Sequence, residues 1–412
     1  MLLGLAACST EGTEPAGSAA TETTSSGTAA SDDAEAVPML RREGSSYVVP
    51  DPLPAGEPGE PLAVGEAAPS DTFAGATRQD LLYRSTDRAG DDVAVSGTLL
   101  VPDGAPPDGG WPVVSWGHGT TGVADACAPS TTDNLFYNEY AQQARWFLDA
   151  GYAVAATDYV GLGTPGLHSY TVGEDLGNAI ADIVPAAHEV RDDLSPTWFA
   201  IGHSEGGQGV LFATRAAARH PEQELAATVA IAPSSHLGLA LPAITAGELP
   251  ADVVYGLYLL VGLSTVDPTI RPEELVGPAG TEVLAGVTDR DCLLDTLAEL
   301  GDDDVAEVFD LSPEEMTRLS ELLATIGDPD QEPTVGPLLV VQGETDRDIP
   351  APITAELVAH LRTLGVDVTE RVYPGLDHDR VLGPSVCETL TWMATHGGPD
   401  PVGCVAAPTD MS

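Results

Sequence analysis

The sequence predicts an α/β protein in which a mostly parallel sheet carries helices on both faces. From about residue 75, short runs rich in β-branched residues alternate with amphipathic helical patterns, which is typical of a parallel sheet. Between 236 and 336 this alternation stops and the sequence is helical, which predicts a large inserted lid. The chain has 412 residues, 43% of them hydrophobic, which is enough for one such domain with a lid and a tail.

The elements of the domain are placed by the spacing of apolar residues and by Gly and Pro punctuation. The predicted strands span 93–101, 111–116, 152–157, 197–202, 225–232, 337–341 and 366–372. The predicted helices span 134–150, 172–192, 206–220 and 352–364, and a terminal helix follows. We therefore assign 71–235 and 337–412 to the α/β core and 236–336 to the helical lid.

The first 70 residues are expected to lie outside this core. Residues 9–70 contain few large apolar side chains, a composition that favours a disordered or extended tether. The tetrapeptide LAAC, which ends at Cys8, resembles the lipobox of bacterial lipoproteins, in which the Cys is acylated. We expect residues 1–8 to be a truncated lipoprotein signal and Cys8 to anchor an exported protein at the cell surface. The alternative is a short apolar start on a cytosolic protein.

The charge of the chain restricts its partners. The formal net charge is −48, and all 16 basic residues are arginine. A field of this sign repels phosphate backbones, so no nucleic-acid partner is expected. The longest apolar run, 253–263, is well short of the ~20 residues that a membrane span needs. We therefore expect the protein to contact the membrane only through a lipid anchor. We also expect it to be a monomer.

Apart from Cys8, the chain contains an even number of cysteines, Cys127, Cys292, Cys387 and Cys404. In an exported protein this number predicts two disulfides, with three possible connectivities. Four free thiols are the alternative for a cytosolic protein. Neither CxxC nor HxxxH spacing occurs, so no metal site is expected.

The motif GHSEG at 202–206 matches G-x-S-x-G. A β-rich run precedes it and a helix rich in small residues follows, which is the context of a nucleophile elbow. The residues two positions before and after the nucleophile must be small, and Gly202 and Gly206 satisfy this requirement. The motif predicts an α/β-hydrolase fold with Ser204 as the nucleophile; a structural strand-to-helix turn is the alternative.

A serine nucleophile needs a base, and His378 is the predicted one. In this fold the chain order is Ser, acid, His. That order and the expected local structure argue against several other histidines: His118, His168, His203, His220, His236 and His360. Between His378 and His396, the former follows the last predicted strand, whereas the latter falls in the terminal helix.

The predicted acid is Asp346, which lies in the turn after the strand at 337–341. Asp348 and Glu344 are the alternatives in the same turn. Two backbone N–H groups are needed for an oxyanion hole. We expect one from Glu205, which follows the nucleophile, and one from Thr120 or its neighbours in the loop after the strand at 111–116.

The motif GLGTPG at 161–166 matches G-x-G-x-x-G and could indicate a dinucleotide site. Pro165 and the run 167–170 separate it from the next helix, so no helix N-terminus is available for a pyrophosphate. We interpret it as a Gly-rich loop and expect no cofactor.

Taken in order, these motifs are similar to those of the secretory lipase family. This α/β-hydrolase group includes the yeast lipase A type and has a large helical lid before the catalytic Asp. The motifs are GHGTTG at 117–122, DYVGLG at 158–163, GHSEGG at 202–207, GETD at 343–346 and GLDH at 375–378. The resemblance implies a triad of Ser204, Asp346 and His378 and carboxylic-ester substrates. It also implies two disulfides, Cys127–Cys292 and Cys387–Cys404.

The sequence thus predicts a serine hydrolase that cleaves small-molecule or lipid esters through an acyl-enzyme intermediate. The apolar segment 253–263 of the lid is expected to shelter the acyl chain. A peptidase or an acyltransferase of the same fold is one alternative, because the triad does not distinguish these activities. A non-catalytic, surface-tethered binding protein is the other.

Overall fold

The computed structural model describes residues 37–247, 253–300, 305–401 and 404. In this part of the chain the strands are β1 Arg42–Glu43, β2 Ser46–Tyr47, β3 Pro61–Val64, β4 Ala68–Pro69, β5 Ala76–Thr86, β6 Asp92–Pro102, β7 Trp111–Gly117, β8 Ala153–Tyr159, β9 Leu194–His203, β10 Glu224–Ile231, β11 Leu338–Gly343 and β12 Val368–Tyr373. The lipobox Cys8 and residues 9–36 of the predicted tether lie outside the described residues.

The helices in the same residues are α1 Asn138–Asp149, α2 Gly173–Val190, α3 Glu205–Ala216, α4 Leu237–Thr245, α5 Val253–Val266, α6 Pro278–Asp289, α7 Leu293–Leu300, α8 Val305–Val308, α9 Pro313–Gly327, α10 Ala351–Thr363 and α11 Leu382–Ala394. Short 3-10 turns occur at Asp125–Cys127, Pro129–Thr131, Ala217–Arg219 and Pro272–Glu274.

Ten of the described strands form one sheet in the order β12-β11-β10-β9-β7-β8-β6-β5-β3, with β4 also paired to β5. The strands from β12 to β8 run parallel to one another, whereas β6, β5, β3 and β4 add antiparallel pairs at the other side. Helices α2, α3 and α10 pack on one face of the sheet, and α1 and α11 pack on the other. The predicted α/β class is therefore confirmed.

The first strands of the sheet come from a segment predicted to lie outside it. Residues 61–69 form β3 and β4, which pair with β5, so the core begins before residue 71. Upstream of them, Tyr47 is buried, and its hydroxyl lies 2.6 Å from that of Ser130. The described part of the predicted tether, from residue 37, is thus anchored on the domain by buried contacts.

Between β10 and β11 the described residues form helices and turns, α4 to α9. Most of the α5 residues are buried, and their apolar side chains form a separate hydrophobic cluster with those of the neighbouring helices. A helix that is apolar on every side is typical of a buried position. None of the helices in the described residues is long and apolar enough to span a membrane. That this segment acts as a lid stays a prediction.

Two disulfides are present, Cys127–Cys292 and Cys387–Cys404. These are the pairs that the resemblance implies. The first joins a loop after β7 to the residue that precedes α7, 165 positions further along the chain. The second joins Cys387, within α11, to Cys404, which follows that helix, with a separation of 17.

Candidate active site

Ser204 occupies the sharp turn between β9 and α3. Its backbone has φ 58° and ψ −117°, a conformation that costs a non-glycine residue about 1–3 kcal/mol. A side chain at Gly202 would collide with the carbonyl oxygen of Gly206, and one at Gly206 with that of Gly117. The two glycines therefore permit the strained turn, which presents Ser204 at the carboxyl end of the parallel strands, where ligands bind in this class.

Asp346 and His378 meet at the same edge of the sheet, after β11 and β12 respectively. His378 Nδ1 lies 2.8 Å from Asp346 Oδ2, and both residues are buried. A carboxylate only accepts hydrogen bonds, so Nδ1 is the donor and carries a proton. This fixes the tautomer in which neutral His378 has an unprotonated Nε2, the form that can accept a proton from a serine hydroxyl.

The Asp346 carboxylate is held from both sides. Its Oδ1 accepts the backbone N–H groups of Asp348 and Ile349 at 3.0 and 2.8 Å. Its Oδ2 also accepts from Gln342 Nε2 at 2.9 Å. Gln342 is the last polar side chain of β11, and its other amide atom accepts from Thr354 on α10. Sequence reasoning did not identify Gln342, because an interior Gln in an apolar strand shows no partner from the sequence alone.

The two alternative acids in this turn have other contacts. The Asp348 side chain lines the cavity beside His378, while its backbone supports Asp346. Glu344 is exposed and accepts the backbone N–H of Gly375 at 3.0 Å. Asp346 is therefore the acid that the structure pairs with the imidazole.

Thr120 and Ser204 line the same cavity. Of the candidates for the second oxyanion donor, Gly119 already donates its N–H to the Tyr140 hydroxyl at 3.0 Å. Glu205 begins α3, so its backbone N–H is among the first-turn groups that lack an intrahelical acceptor. This arrangement favours Thr120 and Glu205 as the pair of donors.

A chain of buried polar groups connects the loop after β7 to the loop that carries His378. His203 Nε2 lies 3.0 Å from the carbonyl oxygen of His378 and must donate to it. His203 Nδ1 is then an acceptor and faces the Tyr140 hydroxyl at 3.2 Å. Tyr140 in turn accepts from Gly119. His203, interpreted from the sequence as structural, thus links both loops, and Tyr140 was not identified beforehand.

The charges around His378 set the pH at which it can act as a base. Burial lowers the pKa of its imidazole, but the hydrogen bond to Asp346 and the charges of Asp346, Asp348 and Asp379 outweigh burial, so the pKa lies above its usual 6.5. Burial and the neighbouring His378 hold the pKa of His203 well below that value. His203 therefore stays neutral over the range in which His378 titrates.

We expect kcat/KM for ester hydrolysis to rise with pH and to be half-maximal above pH 6.5, because only neutral His378 can accept a proton. Asp348→Asn removes one charge that raises this pKa, so the midpoint should fall to a lower pH. Glu139→Gln, on the same cavity but not among those charges, should shift it less. pH–rate profiles measure this, and an unchanged or higher midpoint in Asp348→Asn would contradict it.

Two cavities meet at Ser204. The larger, of about 450 Å³, is lined by residues of several elements, Thr120, Tyr137, Glu139, Tyr140, His203, Ser204, Tyr255, Leu293, Leu294, Leu297, Asp348, His378 and Asp379. The smaller, of about 70 Å³, lies between α4 and α5 and has a mainly apolar wall that includes Leu237, Ile244 and Leu259. Among the described residues, no cluster of His, Cys, Asp and Glu is suited to a metal ion.

The histidines that sequence reasoning set aside have other partners. His118 is buried, which lowers its pKa to about 4, and its Nδ1 faces the Gly119 carbonyl. His220 and His360 pair with Asp182 and Asp330, respectively, and His396 contacts the carbonyl of Trp392.

The Gly-rich loop at 161–166 ends before α2 begins at Gly173.

Residues 136–383, more than half of the chain, match the family model Hydrolase_4, described as serine aminopeptidase, S33. The chain belongs to this family. The matched region contains Ser204, Asp346 and His378, so this S33 family member is a serine hydrolase by descent as well as by the geometry of its elbow. No curated protein matches its sequence.

Solved structures share the fold of this S33 family member. A mutant of the rice cell wall degrading esterase LipA from Xanthomonas oryzae has a TM-score of 0.70 at 17% identity, over 83% of this chain and 100% of that one. Candida antarctica lipase A in its closed state has a TM-score of 0.69 at 17% identity, over 86% and 85%. A protein from Legionella pneumophila has a TM-score of 0.62 at 21% identity, over 76% of this chain and 87% of that one. The predicted resemblance to the lipase A type is thus confirmed at the level of the fold.

Proposed function

We propose that this protein hydrolyses carboxylic esters, with Ser204 as nucleophile, His378 as general base and Asp346 as the acid that orients it. The observation that carries the proposal is the buried Asp346–His378 hydrogen bond on the same cavity as the strained Ser204. A serine hydroxyl on such a turn and an imidazole with an unprotonated Nε2, both on one cavity, are the groups that acyl transfer requires.

In the proposed reaction, His378 Nε2 takes the proton of Ser204 as Oγ attacks the ester carbonyl carbon. The negative charge of the tetrahedral intermediate is stabilised by the backbone N–H groups of Thr120 and Glu205. The C–O bond to the alcohol breaks, and His378 returns the proton to the departing oxygen. Water, deprotonated by His378, then attacks the acyl carbon. The bond to Ser204 Oγ breaks and His378 returns the proton to Oγ, which releases the carboxylic acid and regenerates the serine hydroxyl.

The two cavities differ in their lining, which favours the acyl part of the ester in one and the alcohol part in the other. The narrow apolar cavity between α4 and α5 fits the acyl chain, because its wall offers aliphatic side chains and little polar surface. The wider cavity, with three tyrosines and three carboxylates, fits the alcohol. Tyr255 lines both cavities, as do Thr120, Ser204 and Asp348.

Peptide hydrolysis is the second candidate, because the family description names an aminopeptidase. One observation favours it. Glu139, Asp348 and Asp379 line the wider cavity and would attract the ammonium group of a peptide N-terminus. The fold neighbours described as an esterase and a lipase favour ester substrates instead.

We further propose that the protein is exported. Disulfides persist in oxidising compartments and are rare in the cytosol, and two are present here, Cys127–Cys292 and Cys387–Cys404. The anchor at Cys8 is a separate prediction that rests on the lipobox alone.

A fluorophosphonate probe tests the function directly. We expect it to label the purified protein once, and peptide mapping to place the label on Ser204. In parallel, p-nitrophenyl acetate, butyrate and octanoate are compared with aminoacyl p-nitroanilides. Faster turnover of esters supports the proposal, whereas faster turnover of anilides would assign the peptidase. Neither labelling nor turnover would leave a non-catalytic binding protein.

A further inference from the structure

Residues 168–171 lie in a buried loop between β8 and α2, directly behind the proposed oxyanion hole. All four residues are buried, and the Tyr159 ring stacks on the His168 imidazole at a centroid distance of 6.0 Å. Thr171 has a φ of 60°, and Gln208 on α3 donates to its carbonyl at 2.9 Å. The surrounding structure therefore holds this loop in one conformation.

The loop fixes the Glu205 side chain. Glu205 Oε1 lies 3.1 Å from His168 Nε2 and accepts the backbone N–H of Thr171 at 3.3 Å. His168 Nδ1 lies 2.8 Å from the carbonyl oxygen of Val160 and must donate to it. Two unprotonated acceptors would repel each other at 3.1 Å, so one further proton lies between Nε2 and the carboxylate. The buried pair thus carries no net charge.

The same loop also fixes the other donor. The Tyr170 hydroxyl lies 2.8 Å from Thr120 Oγ1. The Tyr170 ring packs edge-on against Tyr258 of α5, at 5.7 Å. The α5 backbone comes so close to the Tyr170 carbonyl that a side chain at Gly262 would collide with it. The loop 168–171, against which α5 packs, therefore contacts both Thr120 and Glu205. These are the two residues whose backbone N–H groups are proposed to bind the oxyanion.

Charge explains why this matters for catalysis. The intermediate places a full negative charge on the oxygen beside the Glu205 N–H, and an uncompensated buried carboxylate on the same residue would disfavour it. His168 supplies the compensating proton. Displacing either donor by a few tenths of an ångström would also weaken a hydrogen bond that must be short in the transition state.

We propose that His168 and Tyr170 are positioning residues of the oxyanion hole, His168 by holding and neutralising Glu205, and Tyr170 by holding Thr120. His168 lines neither cavity at Ser204 and contacts Glu205 instead. Tyr170 lines the smaller cavity, but its hydroxyl is paired with Thr120, so we assign its effect to that contact. The inference rests on the proposed ester hydrolysis.

The test compares His168→Gln and Tyr170→Phe with matched changes elsewhere. His220→Gln alters another histidine–carboxylate pair, 2.6 Å to Asp182, and Tyr152→Phe removes another buried hydroxyl. For p-nitrophenyl butyrate, His168→Gln should lower kcat by about 10–100-fold and Tyr170→Phe by about 10-fold, with KM within about threefold. The affinity for a boronic acid, which forms a tetrahedral adduct with serine, should fall in proportion. The two control variants should keep the wild-type kcat.

A rescue variant separates charge compensation from folding. In His168→Gln/Glu205→Gln the unpaired carboxylate is gone, so we expect kcat to recover about tenfold over His168→Gln. Wild-type kcat in His168→Gln, or a double variant no better than the single one, would overturn the role of His168. Wild-type kcat in Tyr170→Phe would overturn that of Tyr170. An inactive, unlabelled wild-type protein would instead overturn the proposed function and this inference with it.

Discussion

Ser204→Ala is expected to lower kcat for p-nitrophenyl butyrate by on the order of 10⁶-fold, because the attacking hydroxyl is lost and no acyl-enzyme can form. The residual rate should come from binding and from the oxyanion donors alone. Alanine fits the turn as well as serine does, so the fold should be unaffected. Active-site titration together with steady-state kinetics of the purified variant measures the loss.

The strained backbone provides the control for this experiment. Ser204 has a φ of 58°, which glycine adopts without cost and alanine does not. Ser204→Gly should therefore be about 1 kcal/mol more stable than Ser204→Ala in chemical denaturation, and equally inactive. Hydrolysis near the wild-type rate in either variant would show that Ser204 is not the nucleophile.

Asp346→Asn is expected to lower kcat by about 10⁴-fold. The two backbone N–H groups at Oδ1 favour placing the amide oxygen there, which turns the amide NH₂ toward His378. His378 must then accept at Nδ1 and carry its proton on Nε2. In that tautomer the imidazole cannot take the proton of Ser204.

A second Asp–His pair gives a matched control for this variant. His360 Nδ1 lies 2.7 Å from Asp330 Oδ2, nearly the same distance as between His378 and Asp346. His360 belongs to α10, and neither His360 nor Asp330 lines either cavity at Ser204. Asp330→Asn should keep kcat/KM within about twofold of wild type. Equal losses in the two variants would mean that Asp346 acts through stability and not through the tautomer of His378.

The parallel half of the sheet was predictable because its strands are buried on both faces and appear as apolar runs with Gly at their ends. β5 was missed because Arg84 and other polar residues interrupt its pattern. Arg84 is nevertheless buried, where it pairs with Asp92. The start of α1 was placed at 134, although the helix begins at Asn138. Leu135 and Phe136 adopt positive φ, which apolar periodicity does not reveal.

The candidate triad could be located because each member follows a recognisable strand, and strand order fixes where those ends meet. The buried polar groups around it could not. Tyr140 and His168 contact His203 and Glu205 across 63 and 37 positions of the sequence. A buried hydroxyl or imidazole requires a partner, but only the folded chain shows which one.

The Cys127–Cys292 cross-link has a consequence for substrate entry. Leu293 N–H also donates to the Thr121 carbonyl at 2.8 Å, so the first turn of α7 is fastened to the loop that carries Thr120. Leu294 and Leu297, which line the wider cavity, therefore belong to a helix that is held at its first turn. If that cavity holds the alcohol as proposed, thiol reductants should release the turn and alter which alcohols fit, while leaving the proton transfer at His378 intact.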